Sequence, residues 1–462
     1  MRTGDVLERH PLPEELWPAH AADGTRVVYR GVGYDGTLRA VSGSVFVPVG
    51  SAPPSGWPVV SYAHGTAGLA DHCAPSRAGL TRAEREHVGR WLAAGFAVAA
   101  TDYEGLATPG PHPYFHGEAV ADDVIDIVRA ARDLHDRVGR TWLAVGFSQG
   151  GHAALFTALL ATRYAPELDF RGTVALAPPV HLPRLVRFLT TAGDRPVSLL
   201  LPFLLAGVRN LGARAFLTDI GRDLVDVATN ATLVELYRAT RGLRNDDVGF
   251  TDVHHRPGVA PVLEACRVPV TRMDRPLYVT AGTADDIVPA EVVASYVTDL
   301  RYAGADVIFD RHDGANHVDL LSTGLDKIVT WGTRLSRART GFDWFDADQD
   351  GHLTGDDFAV FALRLVQACG AAPGSPAARA VRAGYASLWQ AIAASADTNA
   401  DGTVDRTEFL HHVETGDGFE QEIAALATAV LHMAESSDSV PAAEIASAVR
   451  DPGRTDHWLF GA

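Results

Sequence analysis

The first 340 residues alternate between two hydrophobic patterns. Mixed apolar and polar runs rich in β-branched residues predict antiparallel edge strands at residues 26–33 and 40–49. Short continuous apolar runs, typical of strands buried on both faces, follow at residues 58–63, 96–101, 142–147 and 173–177. Amphipathic segments between them predict helices at residues 81–93, 119–138 and 150–163. This alternation predicts an α/β fold with a mostly parallel, doubly wound sheet.

The alternation is interrupted in the middle of this region. Residues 181–270 are predicted to form several helices broken by proline and glycine, including the strongly apolar segment 197–208. The pattern then resumes with predicted strands at 277–281 and 306–309 and predicted helices at 290–300 and 318–336. Helical insertions in α/β sheets commonly cover an active site, so we expect a cap here. A second packing layer is the alternative.

Composition and charge divide the chain in two. Hydrophobic residues make up 47% and charged residues 21%, which indicates a globular protein. The net charge is −17, which excludes a general nucleic-acid binder. Residues 341–462 hold 19 acidic residues and 6 arginines, whereas residues 1–340 are nearly balanced. The composition changes near residues 336–340, so we predict one domain at 1–338, with its helical cap at about 181–270, and an acidic helical domain at 339–462.

The apolar runs, the first twenty residues and the cysteines bear on the cellular location of the protein. No apolar run of about eighteen residues occurs, so no membrane-spanning helix is predicted. The first twenty residues carry four acidic side chains and no apolar run, which predicts a cytoplasmic protein, with secretion as the alternative. The three cysteines form no zinc pattern. A Cys73–Cys266 disulfide is an option if the protein is exported.

A serine lies where a strand is predicted to turn into a helix. Residues 146–150 read GFSQG, the spacing of a nucleophile elbow. The apolar strand before this pentapeptide and the amphipathic helix after it are the context that the elbow requires. Small neighbours are needed at such a strained turn, and Gly146, Gly150 and Gly151 supply them. We therefore predict that Ser148 is a nucleophile; an incidental serine in a glycine-rich loop is the alternative.

A serine nucleophile needs a base and an acid that orients the base. Asp285 follows the predicted strand 277–281, and His317 follows the predicted strand 306–309, so both belong at the same sheet edge as the serine. Their order along the chain, after the serine, is that of the α/β-hydrolases. Asp286 competes for the acid, and His312 and His152 compete for the base.

Two backbone N–H groups are candidates for an oxyanion hole. Gln149 begins the helix after the serine, and Thr66 follows the early strand 58–63. An ordinary turn at residues 64–65 is the alternative for the second donor.

Several motifs resemble the secretory lipase family of α/β-hydrolases over about residues 1–338. They are SYAHGT at 61–66, CAPS at 73–76, DYEGLATPG at 102–110, HPY at 112–114 and GFSQGGH at 146–152. The resemblance implies an acyl-ester or lipid substrate, often a triacylglycerol, a helical cap, and a triad of Ser148, Asp285 and His317. No cofactor is needed for this ester chemistry. Members are typically exported, and an appended acidic domain is not usual.

Two twelve-residue stretches in the acidic region have the ligand spacing of EF-hand calcium loops. They read DADQDGHLTGDD at 346–357 and DTNADGTVDRTE at 397–408. The predicted metal ligands of the first loop are Asp346, Asp348, Asp350, His352 through its carbonyl, and Asp357. Those of the second loop are Asp397, Asn399, Asp401, Thr403 through its carbonyl, and Glu408. Because Asp357 is shorter than the usual glutamate, the first loop is predicted to bind calcium more weakly or to accept Mg²⁺.

The acidic region resembles the calerythrin-like EF-hand proteins over about residues 341–450. Residues 433–444 can be interpreted as a third loop without ligands, but an amphipathic helix is the favoured interpretation. The sequence thus predicts a serine carboxylic-ester hydrolase of lipase type fused to a calcium-binding EF-hand module. Two alternatives remain open: a serine peptidase or acyltransferase on the same fold, and a calcium sensor or buffer carrying an inert hydrolase scaffold. The apolar segment 199–208 favours an acyl chain over a peptide.

Overall fold

The computed structural model describes residues 2–53, 55–208, 213–347, 350–368 and 371–415. The chain divides into two compact units, of which the first contains residues 1–52 and 56–332 and the second contains residues 53–55 and 333–462. The segment 433–444, as well as Asp348 and Cys369, lies outside the described residues.

A nine-stranded sheet organises the described part of the first unit. Its strands are β1 (Val6–Pro11), β2 (Ala21–Val32), β3 (Leu38–Pro48), β4 (Trp57–Ala63), β5 (Ala97–Thr101), β6 (Val138–Phe147), β7 (Asp169–Leu176), β8 (Leu277–Gly282) and β9 (Val307–His312). Their spatial order is β1-β2-β3-β5-β4-β6-β7-β8-β9. The pairs from β1 to β5 are antiparallel, and those from β5 through β4 to β9 are parallel. Every residue of β5 and β8 is buried, as the apolar runs predicted.

Helices connect the strands of this sheet. Those that alternate with strands are α1 (Pro75–Ala78), α2 (Arg82–Ala93), α3 (Gly117–Leu134), α4 (Gln149–Tyr164), α11 (Ala290–Tyr302) and α12 (Leu325–Phe345). Between β7 and β8 lies the predicted insertion, with α5 (Leu182–Thr190), α6 (Leu200–Gly207), α7 (Asp219–Ala228), α8 (Leu233–Thr240), α9 (Asn245–Val248) and α10 (Val259–Ala265). We call α5–α10 the helical insertion. The interruption of the strand–helix alternation therefore marks a real helical segment.

Two predicted elements need correction, and one strand is absent from the prediction. The edge strand β1 was not predicted, because all but the first of its residues are exposed and its sequence carries no alternation. The helix predicted to reach residue 138 ends at Leu134, since Val138 already pairs with Trp57 of β4. The helix predicted at 318–336 is a 3₁₀ turn, Val318–Leu321, followed by α12. Gly324, with φ of 75°, separates the two.

The helical insertion packs into the core of the first unit. Leu201, Phe203 and Leu204 of α6 are almost fully buried, in one apolar cluster with residues of α5, α7 and β8. The insertion also reaches the loop that follows β4, where Gly68 forms a β-bridge with Thr232. It thus lies against the segment that carries the predicted oxyanion donor Thr66.

The second unit is helical where it is described. The C-terminal part of α12 is followed by β10 (His352–Leu353), α13 (Gly355–Ala368), α14 (Pro376–Ala396), β11 (Val404–Asp405) and α15 (Arg406–Thr415). The two short strands pair antiparallel, with Leu353 opposite Val404. Aromatic side chains form much of its core, including Phe345 stacked on Phe358 at 4.5 Å between ring centroids.

Two of the expectations from the sequence concern a membrane-spanning helix and a disulfide bond. Across the described ranges, no helix combines the length and the apolar character needed to cross a membrane. Cys73 and Cys266 are both buried free thiols, so the disulfide option is wrong for this structure. Burial raises the pKa of both thiols, which keeps them protonated.

Candidate active site and acidic loops

Ser148 stands at the turn between β6 and α4. Its φ of 54° and ψ of −116° lie in a region that residues with a side chain rarely occupy. Its N–H donates a hydrogen bond to the carbonyl of Leu176 in β7, at 2.8 Å, which ties the strained residue to the sheet. Such strain persists only where the surroundings enforce it, and it is common at functional sites.

The glycines around Ser148 are required by close backbone contacts. A Cβ on Gly146 would lie 2.0 Å from the carbonyl oxygen of Gly150. A Cβ on Gly150 would lie 1.8 Å from the carbonyl oxygen of Ala63, at the end of β4. The helix α4 can therefore approach the sheet edge only because these positions lack side chains.

The structure brings Ser148, His317 and Asp285 into one hydrogen-bonded series. The Oγ of Ser148 lies 2.9 Å from Nε2 of His317, and Nδ1 of His317 lies 2.7 Å from Oδ2 of Asp285. A carboxylate accepts, so Nδ1 carries the hydrogen and Nε2 presents its lone pair to the serine hydroxyl. All three side chains are buried. This is the arrangement in which a histidine can remove a serine proton.

The two neighbouring aspartates differ sharply in environment. Oδ1 of Asp285 accepts hydrogen bonds from the N–H groups of Ile287, at 2.9 Å, and Val288, at 2.8 Å. These bonds leave Oδ2 directed at His317. Asp286, the competing acid, is exposed. The geometry therefore joins Asp285, and not Asp286, to the histidine.

His152 and His312, the two other candidates for the base, make different contacts. His152 is buried within α4, where its Nε2–H donates to the carbonyl of Cys266 at 2.8 Å and its ring packs on Phe115. Burial lowers the pKa of His152 to about 4. His312 ends β9, and its Nε2 lies 4.0 Å from Asp310.

The two proposed oxyanion donors occupy suitable backbone positions. Gln149 is the first residue of α4, and the first N–H groups of a helix have no partner within it. Thr66 follows Gly65, whose N–H donates to Oε1 of Glu84 at 2.8 Å. The hydroxyl of Thr66 lies 2.6 Å from that of Tyr114. The position of Thr66 is thus fixed by the hydrogen bond from Gly65 to Glu84 and by that between its own hydroxyl and Tyr114.

The side chain of Gln149 is fixed by His112. Nε2 of Gln149 lies 2.8 Å from Nε2 of His112, and Nδ1 of His112 lies 3.0 Å from the carbonyl of Glu104. The carbonyl can only accept, so Nδ1 of His112 carries the hydrogen and its Nε2 accepts from the Gln149 amide. Burial lowers the pKa of His112 to about 4, which keeps the ring neutral as this arrangement requires.

Three residues around the site were not predicted: Glu84, His112 and Tyr114. Thr81 and Glu84 have the recognisable spacing of a capping box, and they form one at the start of α2. The bond from Gly65 to Glu84, in contrast, joins the loop after β4 to a helix that no spacing rule connects with it. His112 and Tyr114 belong to the HPY motif, which the sequence analysis used for resemblance without assigning them a role.

In the first acidic loop the described carboxylates accept hydrogen bonds from the loop backbone. Asp346 accepts from the N–H groups of Asp350, at 3.1 Å, and Gly351, at 3.0 Å. Asp357 accepts from the N–H of Ala347 at 2.9 Å. Burial and the nearby Asp357 and Asp350 carboxylates raise the pKa of Asp346. His352 is in β10, and its N–H donates to Asp350 at 2.8 Å.

The second acidic loop repeats this arrangement. Asp397 accepts from the N–H of Gly402 at 2.9 Å, as Asp346 does from Gly351. Asn399 accepts from the N–H of Asp401 at 2.8 Å, and Asp401 accepts from the N–H of Thr403 at 2.9 Å. The two central glycines adopt left-handed φ angles, 88° at Gly351 and 86° at Gly402.

The last carboxylate of the second loop closes it. Glu408 accepts from the N–H of Thr398 with Oε1, and from the N–H of Asp405 with Oε2, both at 3.0 Å. Burial acts to raise the pKa of Glu408, but these hydrogen bonds outweigh it and lower the pKa. The loop is thus folded around its first and last carboxylates.

The sheet order, the serine turn after a parallel strand and the helical insertion define an α/β-hydrolase-like protein. The secretory lipase family model matches residues 71–340, which is more than half of the chain. The chain belongs to the secretory lipase family. The matched region ends before the acidic loops, so the EF-hand interpretation rests on the second unit's own residues. The family's description agrees with secretion and gives no support to a cytoplasmic location.

The chain is similar to proteins named as lipases or an esterase, one of which is described as a probable inactive lipase. A protein from Mycobacterium tuberculosis described as a probable inactive lipase is 26% identical over 335 residues, covering 67% of this chain and 72% of that protein. Lipase A from Moesziomyces aphidis is 24% identical over 355 residues, covering 70% of this chain and 74% of that protein. The chain is also similar to a trichothecene C-3 esterase from Fusarium sporotrichioides, at 21% identity over 52% of this chain and 57% of that protein.

Solved structures share the fold. Lipase A of Candida antarctica matches with a TM-score of 0.59 and 21% identity, covering 72% of this chain and 83% of that one. The cell-wall-degrading esterase LipA of Xanthomonas oryzae matches with a TM-score of 0.57 and 18% identity, covering 74% of this chain and 98% of that one. At these identities the likeness establishes the α/β-hydrolase-like fold.

Proposed function

We propose that the chain is a serine carboxylic-ester hydrolase of lipase type. The observation that carries this proposal is the hydrogen-bonded series from Ser148 through His317 to Asp285, with the serine on a strained turn. Membership of the secretory lipase family supports an ester or lipid substrate. One relative is described as probably inactive, but the intact series of three side chains in this chain supports an active hydrolase.

The proposed reaction proceeds in two halves. Nε2 of His317 accepts the proton of Ser148 as its Oγ attacks the ester carbonyl carbon, and the N–H groups of Gln149 and Thr66 stabilise the oxyanion. The C–O bond to the leaving alcohol then breaks, and His317 donates the proton to that alcohol. Water attacks the acyl-serine by the same route, which releases the acid and restores the serine. Asp285 holds the required tautomer of His317 throughout.

Labelling with a fluorophosphonate tests this proposal, because only an activated serine displaces the fluoride. The wild type is expected to incorporate one label, and Ser148→Ala none. As a matched control, Ser42→Ala removes a buried serine that donates to Asp102 and should leave labelling intact. A wild-type protein that takes no label and hydrolyses no nitrophenyl ester would show an inert scaffold.

We further propose that the second unit binds Ca²⁺ through an EF-hand-like pair of loops. The donor set fits a hard cation, because the predicted side-chain ligands are all carboxylate or amide oxygens. The helix–loop–helix order, the pairing of Leu353 with Val404 and the left-handed glycines at the sixth loop positions support the same interpretation. Calcium supplies no step of the ester chemistry; it would offset the mutual repulsion of these carboxylates.

The ligands would come from both loops. The first loop would contribute the side chains of Asp346, Asp348, Asp350 and Asp357 and the carbonyl of His352. The second loop would contribute the side chains of Asp397, Asn399, Asp401 and Glu408 and the carbonyl of Thr403. We propose that the second loop binds more strongly, because Glu408 is one methylene longer than Asp357. The first is the weaker or Mg²⁺-tolerant site.

Calorimetry tests the calcium proposal. Calcium should raise the unfolding temperature of the second unit, because a ligand that binds only the folded state stabilises it by about 2.7 kcal/mol at a hundredfold excess over Kd. Glu408→Gln should remove most of that increase, whereas Asp356→Asn, at an exposed position, should keep it. An equal increase in Glu408→Gln and wild type would show that calcium binds elsewhere.

A further inference from the structure

The helical insertion carries a cluster of three potential metal ligands. A 3₁₀ turn, Val253–His255, lies between α9 and α10, and Asp252 immediately precedes it. One ligand atom each from Asp252, His254 and His255 lies within 4.8 Å of the other two. The two imidazole rings are 3.9 Å apart between centroids. None of these residues takes part in the hydrolase site.

The hydrogen bonds of His254 leave one of its ring nitrogens available to bind a metal. Nδ1 of His254 lies 3.0 Å from the hydroxyl of Thr190, and that hydroxyl donates its one hydrogen to the carbonyl of Val186 at 2.7 Å. Nδ1 must therefore carry the hydrogen, and Nε2 keeps its lone pair. Nε2 is buried and has no hydrogen-bond partner. Metal-binding histidines are held in this way, with one nitrogen donating to a neighbouring oxygen and the other facing the metal.

The backbone at Asp252 is held in an uncommon conformation. Asp252 has φ of 53° and ψ of 26°, the left-handed region. Its N–H donates to the carbonyl of Thr190 at 2.8 Å. Thr190 therefore fixes both the start of the turn and the tautomer of His254. The side chains of Asp252 and His255 are exposed and free to rotate towards a bound ion.

We propose that Asp252, His254 and His255 form a binding site for a divalent transition-metal ion, of which Zn²⁺ is the best match. Two imidazole nitrogens and one carboxylate oxygen suit Zn²⁺, with water as the fourth ligand. Tetrahedral ligands on bonds of about 2.0–2.1 Å lie about 3.3 Å apart, so rotation of the two exposed side chains completes the site. The ion would cross-link residues of the turn, which Thr190 at the end of α5 already holds through His254.

One nearby charge opposes the ion. Arg187 of α5 lies near enough to His254 for their charges to interact. Arg187 is exposed and its positive charge disfavours a second cation at the site. Removal of the Arg187 charge should therefore strengthen binding of the metal ion.

Isothermal titration of the full-length chain with Zn²⁺, in excess Ca²⁺, tests the site. We expect His255→Ala and Asp252→Asn each to weaken the site's affinity by about 10-fold or more. Both positions are exposed, and asparagine tolerates the left-handed backbone, so both variants should fold. Arg187→Gln should strengthen binding severalfold. His10→Ala, which removes an exposed histidine 3.2 Å from Glu8, is the matched control and should bind as the wild type does.

The outcomes separate the site from other metal binding. Binding that is weaker by about 10-fold or more in both ligand variants, with tighter binding in Arg187→Gln, supports it. Unchanged titrations in His255→Ala and Asp252→Asn would mean that Zn²⁺ binds elsewhere, and no saturable binding by the wild type would overturn the proposal outright. Because ester hydrolysis is not the readout, these results are independent of the proposed catalytic role of Ser148.

Discussion

Asp285 and Asp286 are adjacent in the chain, but their environments differ. Asp285 accepts two backbone N–H bonds with one oxygen and the imidazole N–H of His317 with the other. Asp286 points to solvent. A carboxylate that is held on one side and bonded to a histidine on the other can keep the ring in a single tautomer.

Exchange of each aspartate for asparagine tests this difference. Asp285→Asn is expected to lower kcat by about 10³–10⁴-fold, because the amide N–H₂ can no longer accept from Nδ1–H of His317. Asp286→Asn should stay within about twofold of the wild type, as exposed substitutions usually do. Steady-state hydrolysis of nitrophenyl esters gives both values. A severe loss in Asp286→Asn with an active Asp285→Asn would reverse the assignment.

Under the proposed mechanism, His112 acts on the reaction through Gln149. If its acceptor nitrogen is removed by His112→Phe, the buried amide of Gln149 loses its partner, at a cost of about 1–3 kcal/mol. The side chain is then expected to rotate and shift the Gln149 N–H that we propose faces the oxyanion, so kcat should fall about 10-fold while KM changes little. His112→Gln, which keeps an acceptor, should recover part of that loss. A lower unfolding temperature with unchanged kcat would limit His112 to a structural role.

At the level of elements, the approach of α4 to the end of β4 sets the position of the serine. Gly150→Ala would place a methyl group 1.8 Å from the carbonyl oxygen of Ala63, a backbone atom that cannot move aside. Overpacking of this kind costs about 1–3 kcal/mol or more. We expect a lower unfolding temperature for the first unit and slower fluorophosphonate labelling. Gly374→Ala has open space around it and should be neutral in both assays.

The apolar helix α6 requires a different explanation from the one its sequence suggested. Residues 199–208 were interpreted as a surface for an acyl chain. Leu201, Phe203 and Leu204 are instead buried within the first unit's own core. Packing therefore accounts for most of this apolar surface, and the proposed ester substrate rests on the family and the triad. Gly207, at the end of α6, lies close to Tyr114, where an added Cβ would come within 2.7 Å of the Tyr114 Cβ.

For the whole molecule, buried histidines link stability to pH. Burial lowers the pKa values of His87, His112 and His152 to about 4, against about 6.5 in an unfolded chain. Between these values the unfolded chain binds more protons, so the free energy of unfolding falls as pH falls from about 6.5 to 4. Burial raises the pKa of Asp122 to about 7 and that of Asp126 to about 6, and these carboxyls act in the opposite direction.

A single substitution isolates the histidine contribution. His152→Gln keeps a donor for the carbonyl of Cys266 but cannot take up a proton. The wild type should therefore lose stability relative to this variant as pH falls from 6.5 to 4, by up to about 1.4 kcal/mol per pH unit. Denaturant unfolding at several pH values measures the difference, with exposed His10→Gln expected to run parallel to the wild type. A constant difference between His152→Gln and wild type would contradict the linkage.

The sequence by itself determined the order of strands and helices, the serine turn and the types of residue in the site. These follow from local physical rules: buried parallel strands are continuously apolar, and only glycine fits where backbones meet at Gly146 and Gly150. Ser148, Asp285 and His317 could be selected because strand ends in a parallel sheet converge at one edge. The exposed strand β1 left no such signal, because it buries almost nothing.

Only the tertiary structure decided which groups meet across long distances in the chain. The bond from His317 to Ser148 joins residues 169 positions apart, and that from Gln149 to His112 joins residues 37 apart. Likewise, Thr190 of α5 meets His254 across 64 positions. Periodicity constrains neighbours within a turn or a strand pair, whereas these contacts depend on how whole elements pack. Packing therefore separates Asp285 from its competitor Asp286, and it leaves Nε2 of His254 without a hydrogen-bond partner.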